Sequence, residues 1–463
     1  MGVFTGTAGA DTLTGGVEDD TLQGLGGMDR LSGGDGADTL EGGAGSDVLK
    51  GEAGHDRLDG AEDVDSLDGG AGDDTLVGGS GRDGLTGGAG NDILDGGPGE
   101  AEDYVMPLGF YAGDVAHFTG TARGVTVDLT ITGAQDTGEG LDTLIGIEDL
   151  GGSLFDDVLR GDAGANRMNG FDGADTIIGR GGDDVLGGQL GADRLDGGDG
   201  HDTLMAGLYS DITVMDTASN TLLGGAGNDV LTGHHGADLL DGGDGNDSLQ
   251  GAIPGVGGST AVPGADTLLG GAGDDGISAS IYDAVVDGGD GNDIITVGRW
   301  YEAWDTPQVL QTVTGGAGDD ELWLEGLNPA IDRLVFEGGS GTNTLAIRYW
   351  NIPRRLPQPG PRRPGLHRQG RAGDPHRGGP EGLRRRRGRE LHLHLPQRVD
   401  RRRRRQRHHR RRYRGLLLLR RRHGVRRGGR RPDHRLRRRQ LPARQRRRRR
   451  DPGRRGLRRR PRQ

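Results

Sequence analysis

Gly33-Gly34-Asp35-Gly36-Ala37-Asp38-Thr39-Leu40-Glu41 is a nine-residue phrase, Gly-Gly-x-Gly-x-Asp-x-Leu-x, that recurs before and after itself in unbroken register. Counting by nine from Asp11, the acid returns at Asp20, Asp29, Asp38, Asp47, Asp56, Asp65, Asp74, Asp83 and Asp92. Two places beyond each acid stands a leucine, from Leu13 and Leu22 through to Leu85 and Leu94. The glycine-rich half of the phrase suits the positive φ of a tight turn, and the Asp-x-Leu-x half a short strand with its Leu on one side. A period of nine marks stacked coils and excludes collagen, which needs Gly at every third position.

Composition divides the chain in two. Its net charge of −12 averages residues 1–352, with 12 Lys and Arg against 64 Asp and Glu (−52), and residues 353–463, with 46 Arg against 6 acids (+40). The acidic part is rich in Gly and poor in aromatics, a composition that stays disordered unless something further orders it. Cysteine is absent, so neither a disulfide nor a thiolate metal site holds the fold. No apolar run approaches the length of a membrane helix, and no charged-then-apolar leader precedes the repeats.

On these residues the chain resembles the RTX, or haemolysin-type, calcium-binding repeat proteins over most of residues 6–347. The resemblance implies an all-β fold, a right-handed parallel β-roll or β-helix solenoid in which two nonapeptides make one coil. Leucines then stack inside, and the glycine turns stack along both edges. It also implies export by a type I secretion system through a C-terminal signal, which this chain does not recognisably carry.

Residues 6–97 form the first and cleanest array. Residues 98–152 break the pattern with Tyr104, Val105, Met106, Phe110, Tyr111 and Phe118. Val125, Val127, Leu129 and Ile131 then alternate with polar residues, which predicts a half-buried strand. This β insertion reads as a cap or spacer between arrays, with a ligand-binding role as the alternative. Residues 153–252 hold the second array, counted by nine through Asp157, Asn166, Asp175, Asp184, Asp193, Asp202, Asp211, Asn220, Asp229, Asp238 and Asp247. Asn166 and Asn220 keep a carbonyl oxygen but lose the charge, and Asp211 lacks the preceding Gly pair. Residues 253–347 are eroded repeats, with Asp266, Asp275, Asp293 and Asp320 on a register shifted by one. Trp300, Tyr301, Trp304, Trp323 and Phe336 collect there, as a hydrophobic plug at an open solenoid end or as a surface for sugar or a partner.

Stacking sets each Asp beside the one eighteen residues on, with Asp20, Asp38, Asp56, Asp74 and Asp92 along one edge. Asp11, Asp29, Asp47, Asp65 and Asp83 line the other. Neighbouring carboxylates repel, and one buried Leu per repeat is a small offset to ordering nine backbones. A hard divalent cation between turns reverses the repulsion. Calcium takes six to eight oxygens at irregular angles, which Asp carboxylates and turn carbonyls can supply, whereas magnesium demands a stricter octahedron. The expected ligands are the ten aspartates of the first array with Asp157, Asp175, Asp184, Asp193, Asp202, Asp229, Asp238, Asp247, Asp266, Asp275, Asp293 and Asp320.

No Gly-x-Ser-x-Gly elbow, His-Glu-x-x-His motif or Gly-x-x-x-x-Gly-Lys loop is present. His234-His235 lies in a repeat turn, with no second cluster to complete a zinc site. The sequence therefore reads as a non-catalytic, secreted calcium-binding module, structural or directed at a cell surface or extracellular polymer. Two alternatives stay open. One is the repeat part of an RTX toxin or secreted hydrolase whose catalytic domain is encoded elsewhere. The other is polyanion or nucleic-acid binding through the tail.

Residues 348–463 read as a disordered, Arg-rich tail, and the genetic code suggests how it arose. In DNA whose codons mostly end in C, a frame starting on the third base turns Gly, Asp and Ala codons into Arg, Asn into Gln and Ile into His. The repeat Gly288-Gly289-Asp290-Gly291-Asn292-Asp293-Ile294-Ile295 becomes Arg-Arg-Arg-Arg-Gln-Arg-His-His, and Arg402 to His409 spell that string. The tail is thus expected to be repeat sequence read out of frame, with the native C-terminus and any secretion signal lost. Shifting the nucleotide frame by one base should restore Gly-Gly-x-Gly-x-Asp units beyond residue 353. Codons that fail to spell them would leave the tail a genuine basic segment.

Overall fold

In the strand Thr39–Ala44, alternation turns Leu40 and Gly42 inward and leaves Thr39 and Glu41 exposed. The strand pairs in parallel with Thr21–Gly26 on one side and Arg57–Glu62 on the other, which puts Leu22, Leu40 and Leu58 in one row. The opposite sheet repeats this with Leu31, Leu49 and Leu67. Two nonapeptides therefore make one coil, and the chain is an all-β parallel roll. The computed structural model describes residues 1–98, 113–207, 217–252, 264–298, 311–325 and 334–348. Among them there is no helix, and the pair Gln135–Asp136 with Leu141–Ile145 alone runs antiparallel.

One face is a 16-stranded sheet from Thr12–Thr14 to Thr344–Arg348. The other face is divided. An 8-stranded sheet starts at Val3–Thr5 and takes in Leu141–Ile145, and a 10-stranded sheet starts at Thr126–Asp128. Val115–His117 and Asp149–Gly151 carry the continuous sheet across, between Gly84–Ala89 and Arg167–Asp172. Between the faces lies a single leucine-rich core. Leu49 is fully buried there, so Leu49→Ala should cost the calcium-loaded roll about 2–5 kcal/mol in denaturant unfolding. A loss under about 1 kcal/mol would mean that the row is loosely packed.

Three sequence expectations need correction. The strand expected over 125–131 is only Thr126–Asp128, because the Thr130 N–H and hydroxyl both donate to Asp128 Oδ1 and turn the chain, leaving Ile131 exposed. The count of nine through Asp211 does not describe the coil. Arg194–Asp199 pairs directly with Thr221–Ala226, and the Asp193 N–H donates to Asn220, so the step there is 27 residues and not 18. Trp323 and Phe336 do not gather into one plug: Phe336 faces the core, whereas Trp323 sits on the opposite face of its strand from buried Leu322 and Leu324. Residues Tyr104 to Tyr111, Asp211, Trp300, Tyr301, Trp304 and 349–463 lie outside the described residues.

Candidate metal sites along the roll edges

At the start of the regular turns, a glycine makes room for the aspartate five residues later. A Cβ on Gly33 would collide with the Asp38 carboxylate, and one on Gly42 with that of Asp47. The fourth position is crowded as well, since Gly54 stands at φ +151° against the Gly36 carbonyl, although Asp63 takes that position in its own turn at φ +75°. The second position accepts other residues in the left-handed region, among them Leu25, Glu52, Phe171, Arg180 and Gln189 at φ +73° to +83°.

Turned inward by this geometry, each aspartate joins a ladder. Asp38 Oδ1 accepts the Asp20 N–H at 2.7 Å, and Asp38 in turn donates its own N–H to Asp56 Oδ1 at 2.7 Å. Asp56, Asp74 and Asp92 continue that edge, and Asp11, Asp29, Asp47, Asp65 and Asp83 form the other. In the second half, Asp157, Asp175, Asp193, Asn220, Asp238 and Asp266 make one ladder. Asn166, Asp184, Asp202, Asp229, Asp247, Asp275, Asp293 and Asp320 make the other, which ends on Asn343.

The second carboxylate oxygen is what each ladder leaves over. Oδ2 of Asp29, Asp38, Asp47, Asp56, Asp65, Asp74, Asp92, Asp175, Asp184, Asp202, Asp229, Asp247, Asp275, Asp293 and Asp320 is buried with no hydrogen-bond partner. A buried anionic oxygen without a partner is strongly unfavourable, and a cation is what such an oxygen is suited to meet. Among the described residues no three His, Asp or Glu side chains converge on one point, so an ion there would complete its shell with turn carbonyls. Oxygen-only donors of this kind fit calcium. His234-His235 belongs to no such cluster either.

Burial, reinforced by neighbouring carboxylates and only partly offset by the N–H each accepts, pushes Asp65, Asp92 and Asp175 up to about 7 and Asp184 up to about 8. The same causes raise Asp56, Asp229, Asp247 and Asp293 to about 6. Asp266 and Asp283 are both driven upward by burial, and Ser280 donates its N–H and hydroxyl to Asp283.

Three expected ligands sit differently. Asp11 Oδ2 takes the N–H and hydroxyl of Thr7, Asp20 Oδ2 takes the Gly16 N–H, and Asp157 takes the N–H and hydroxyl of Ser153. Other site residues escaped the sequence reading. Asp114 and Asp142 extend the first two ladders by accepting the N–H of Asp83 and Asp92. Asp114 Oδ2 is buried without a partner and burial lifts it to about 7, whereas Thr137 donates to Asp142. Outside the aspartates runs a further ladder, Asp183, His201, Asn228, Asn246, Asp274, Asn292 and Asp319, each accepting the next N–H. The sequence signal for it is a polar residue just before the repeat Asp, again spaced by coil.

Asp47 is buried, takes the Asp29 N–H and donates to Asp65, whereas Ser46 is exposed. Asp47→Ala should therefore weaken the sites shared with Asp29 and Asp65, and stranding the Asp29 N–H alone costs about 1–3 kcal/mol. Ser46→Ala should change calcium stoichiometry little. Equal losses in the two variants would show the register to be wrong.

Comparison with curated proteins returns no match. A family model described as the RTX calcium-binding nonapeptide repeat matches residues 5–40, 32–67, 68–100, 151–186, 181–211, 216–249, 261–281 and 282–299. These segments carry the turns and ladders above, and on them the chain belongs to the RTX calcium-binding nonapeptide repeat family.

Proposed function

We propose that this chain is a secreted, non-catalytic calcium-binding module that folds on meeting calcium outside the cell and then serves as a structural or surface-interaction element. The observation that carries the reading is the row of buried, unpartnered Asp Oδ2 atoms along both edges. Several ions would sit there, between successive turns, held by the aspartates of adjacent coils. Extracellular modules commonly bind calcium at about 10⁻⁴–10⁻³ M, far above what the cytosol offers. Such a chain stays loose inside the producing cell and stiffens outside, where a cell-surface or extracellular polymer is its expected partner. No helix among the described residues is long and apolar enough to cross a membrane.

Fractionation of producing cells tests this. The protein should be recovered from the medium or the cell surface, protease-resistant in millimolar calcium and protease-sensitive after chelation. Retention in the cytosol in a protease-resistant form would contradict it.

A further inference from the structure

One junction in the roll is closed by the chain itself. At the head of the second array, Arg180 occupies the second position of its turn at φ +83°, where the next coil has Gly198. Its guanidinium grips Asp128 with two bonds, Nη1 to Oδ1 at 2.8 Å and Nη2 to Oδ2 at 2.7 Å. Nη1 also donates to the Gly161 carbonyl at 2.6 Å. One side chain thus ties Thr126–Asp128 to two successive turns, 161–166 and 179–184. The side chains of this pair are 34% and 16% exposed, the least of the Arg and Lys pairs among the described residues. A two-bond guanidinium-carboxylate pair is stronger and more directional than the exposed pairs elsewhere.

At this same junction the repeat gives up its acid. Asn166 is 1% exposed and accepts the Asp162 N–H, and its Nδ2 donates to the Glu148 carbonyl at 2.8 Å. It presents no anionic oxygen. Here a turn pair with one carboxylate fewer than the regular repeat, Asn166 beside Asp184, carries a cation of its own.

We infer that Arg180 is a built-in cation that closes turns 161–166 and 179–184 without calcium, so that the head of the second array stays assembled when the ion sites are empty. This rests on the calcium reading of the other turns. It makes the junction the point from which the second array stacks as calcium arrives.

Amide exchange and calcium counting on the full chain test it. In chelator, amides of Val158–Arg160 and Thr176–Gly181 should exchange at least about tenfold more slowly than those of Thr39–Ala44. Arg180→Gly should erase that difference in chelator, yet fold normally in calcium because glycine suits the positive φ. Arg180→Gly combined with Asn166→Asp, which restores the repeat, should bind one more calcium than the wild type. Equal chelator-state exchange in wild type and Arg180→Gly would overturn the inference. An unchanged ion count in the double variant, with calcium still bound elsewhere, would do so too. A wild-type chain that binds no calcium would instead overturn the calcium reading beneath it.

Discussion

In chelator, a chain ending at residue 352 is expected to lose most of its β signal in circular dichroism and to swell. Sixteen stacked strands at about 4.8 Å each make a rod whose radius of gyration is roughly 25 Å. The unfolded chain of that length would reach on the order of 65 Å. The cause is charge on a thin core. Each coil turns two apolar side chains inward, such as Leu40 and Leu49, and stacks its aspartates directly on those of the next coil. Without a cation, those buried carboxylates oppose the stacking that the leucine rows favour. Scattering and dichroism that do not change with calcium would contradict this.

The second large effect is on pH. Asp65, Asp92, Asp114, Asp175 and Asp275 are held near 7 and Asp184 near 8, by burial first and by adjacent carboxylates next. In the ion-free roll these folded values lie above the unfolded value of about 4. Their contribution to stability is therefore complete below about pH 4 and is lost as pH rises through 6 to 8. Calcium reverses the outcome, because it needs the same oxygens deprotonated. Its apparent affinity should fall about tenfold per pH unit below 7 for each proton displaced per ion, and level off above about 8. Calorimetry in buffers of different ionisation heat should show protons released on binding at pH 7. An affinity unchanged between about pH 5.5 and 8 would show that these carboxylates are not where calcium binds.

What the sequence reveals of this molecule follows its period. Leu40, Asp38 and Gly33 are legible because every coil repeats them, and the ladder from Asp20 to Asp92 is the count of nine taken two at a time. Asp114 is not legible, because the ladder reaches it from Asp83 across 31 residues, in which the repeat gives way to the insertion. The pairing of Arg180 with Asp128 spans 52 residues with no period to announce it. The three glycines of the unit look equivalent on the page. Only backbone geometry shows where a side chain is taken at positive φ, as at Phe171, Arg180 and Asp63, and where it is not, as at Gly54, whose Cβ would meet the Gly36 carbonyl. The hydroxyls of Thr7 and Ser153 are equally silent in sequence, because their role depends on the turn that points them at Asp11 and Asp157.

Counting bound calcium while recording the β signal in one titration tests the central claim most directly. The account predicts that several ions per chain are taken up within the same transition that builds the β signal, and that magnesium at equal concentration does not substitute. A β signal already complete before any calcium binds would contradict it.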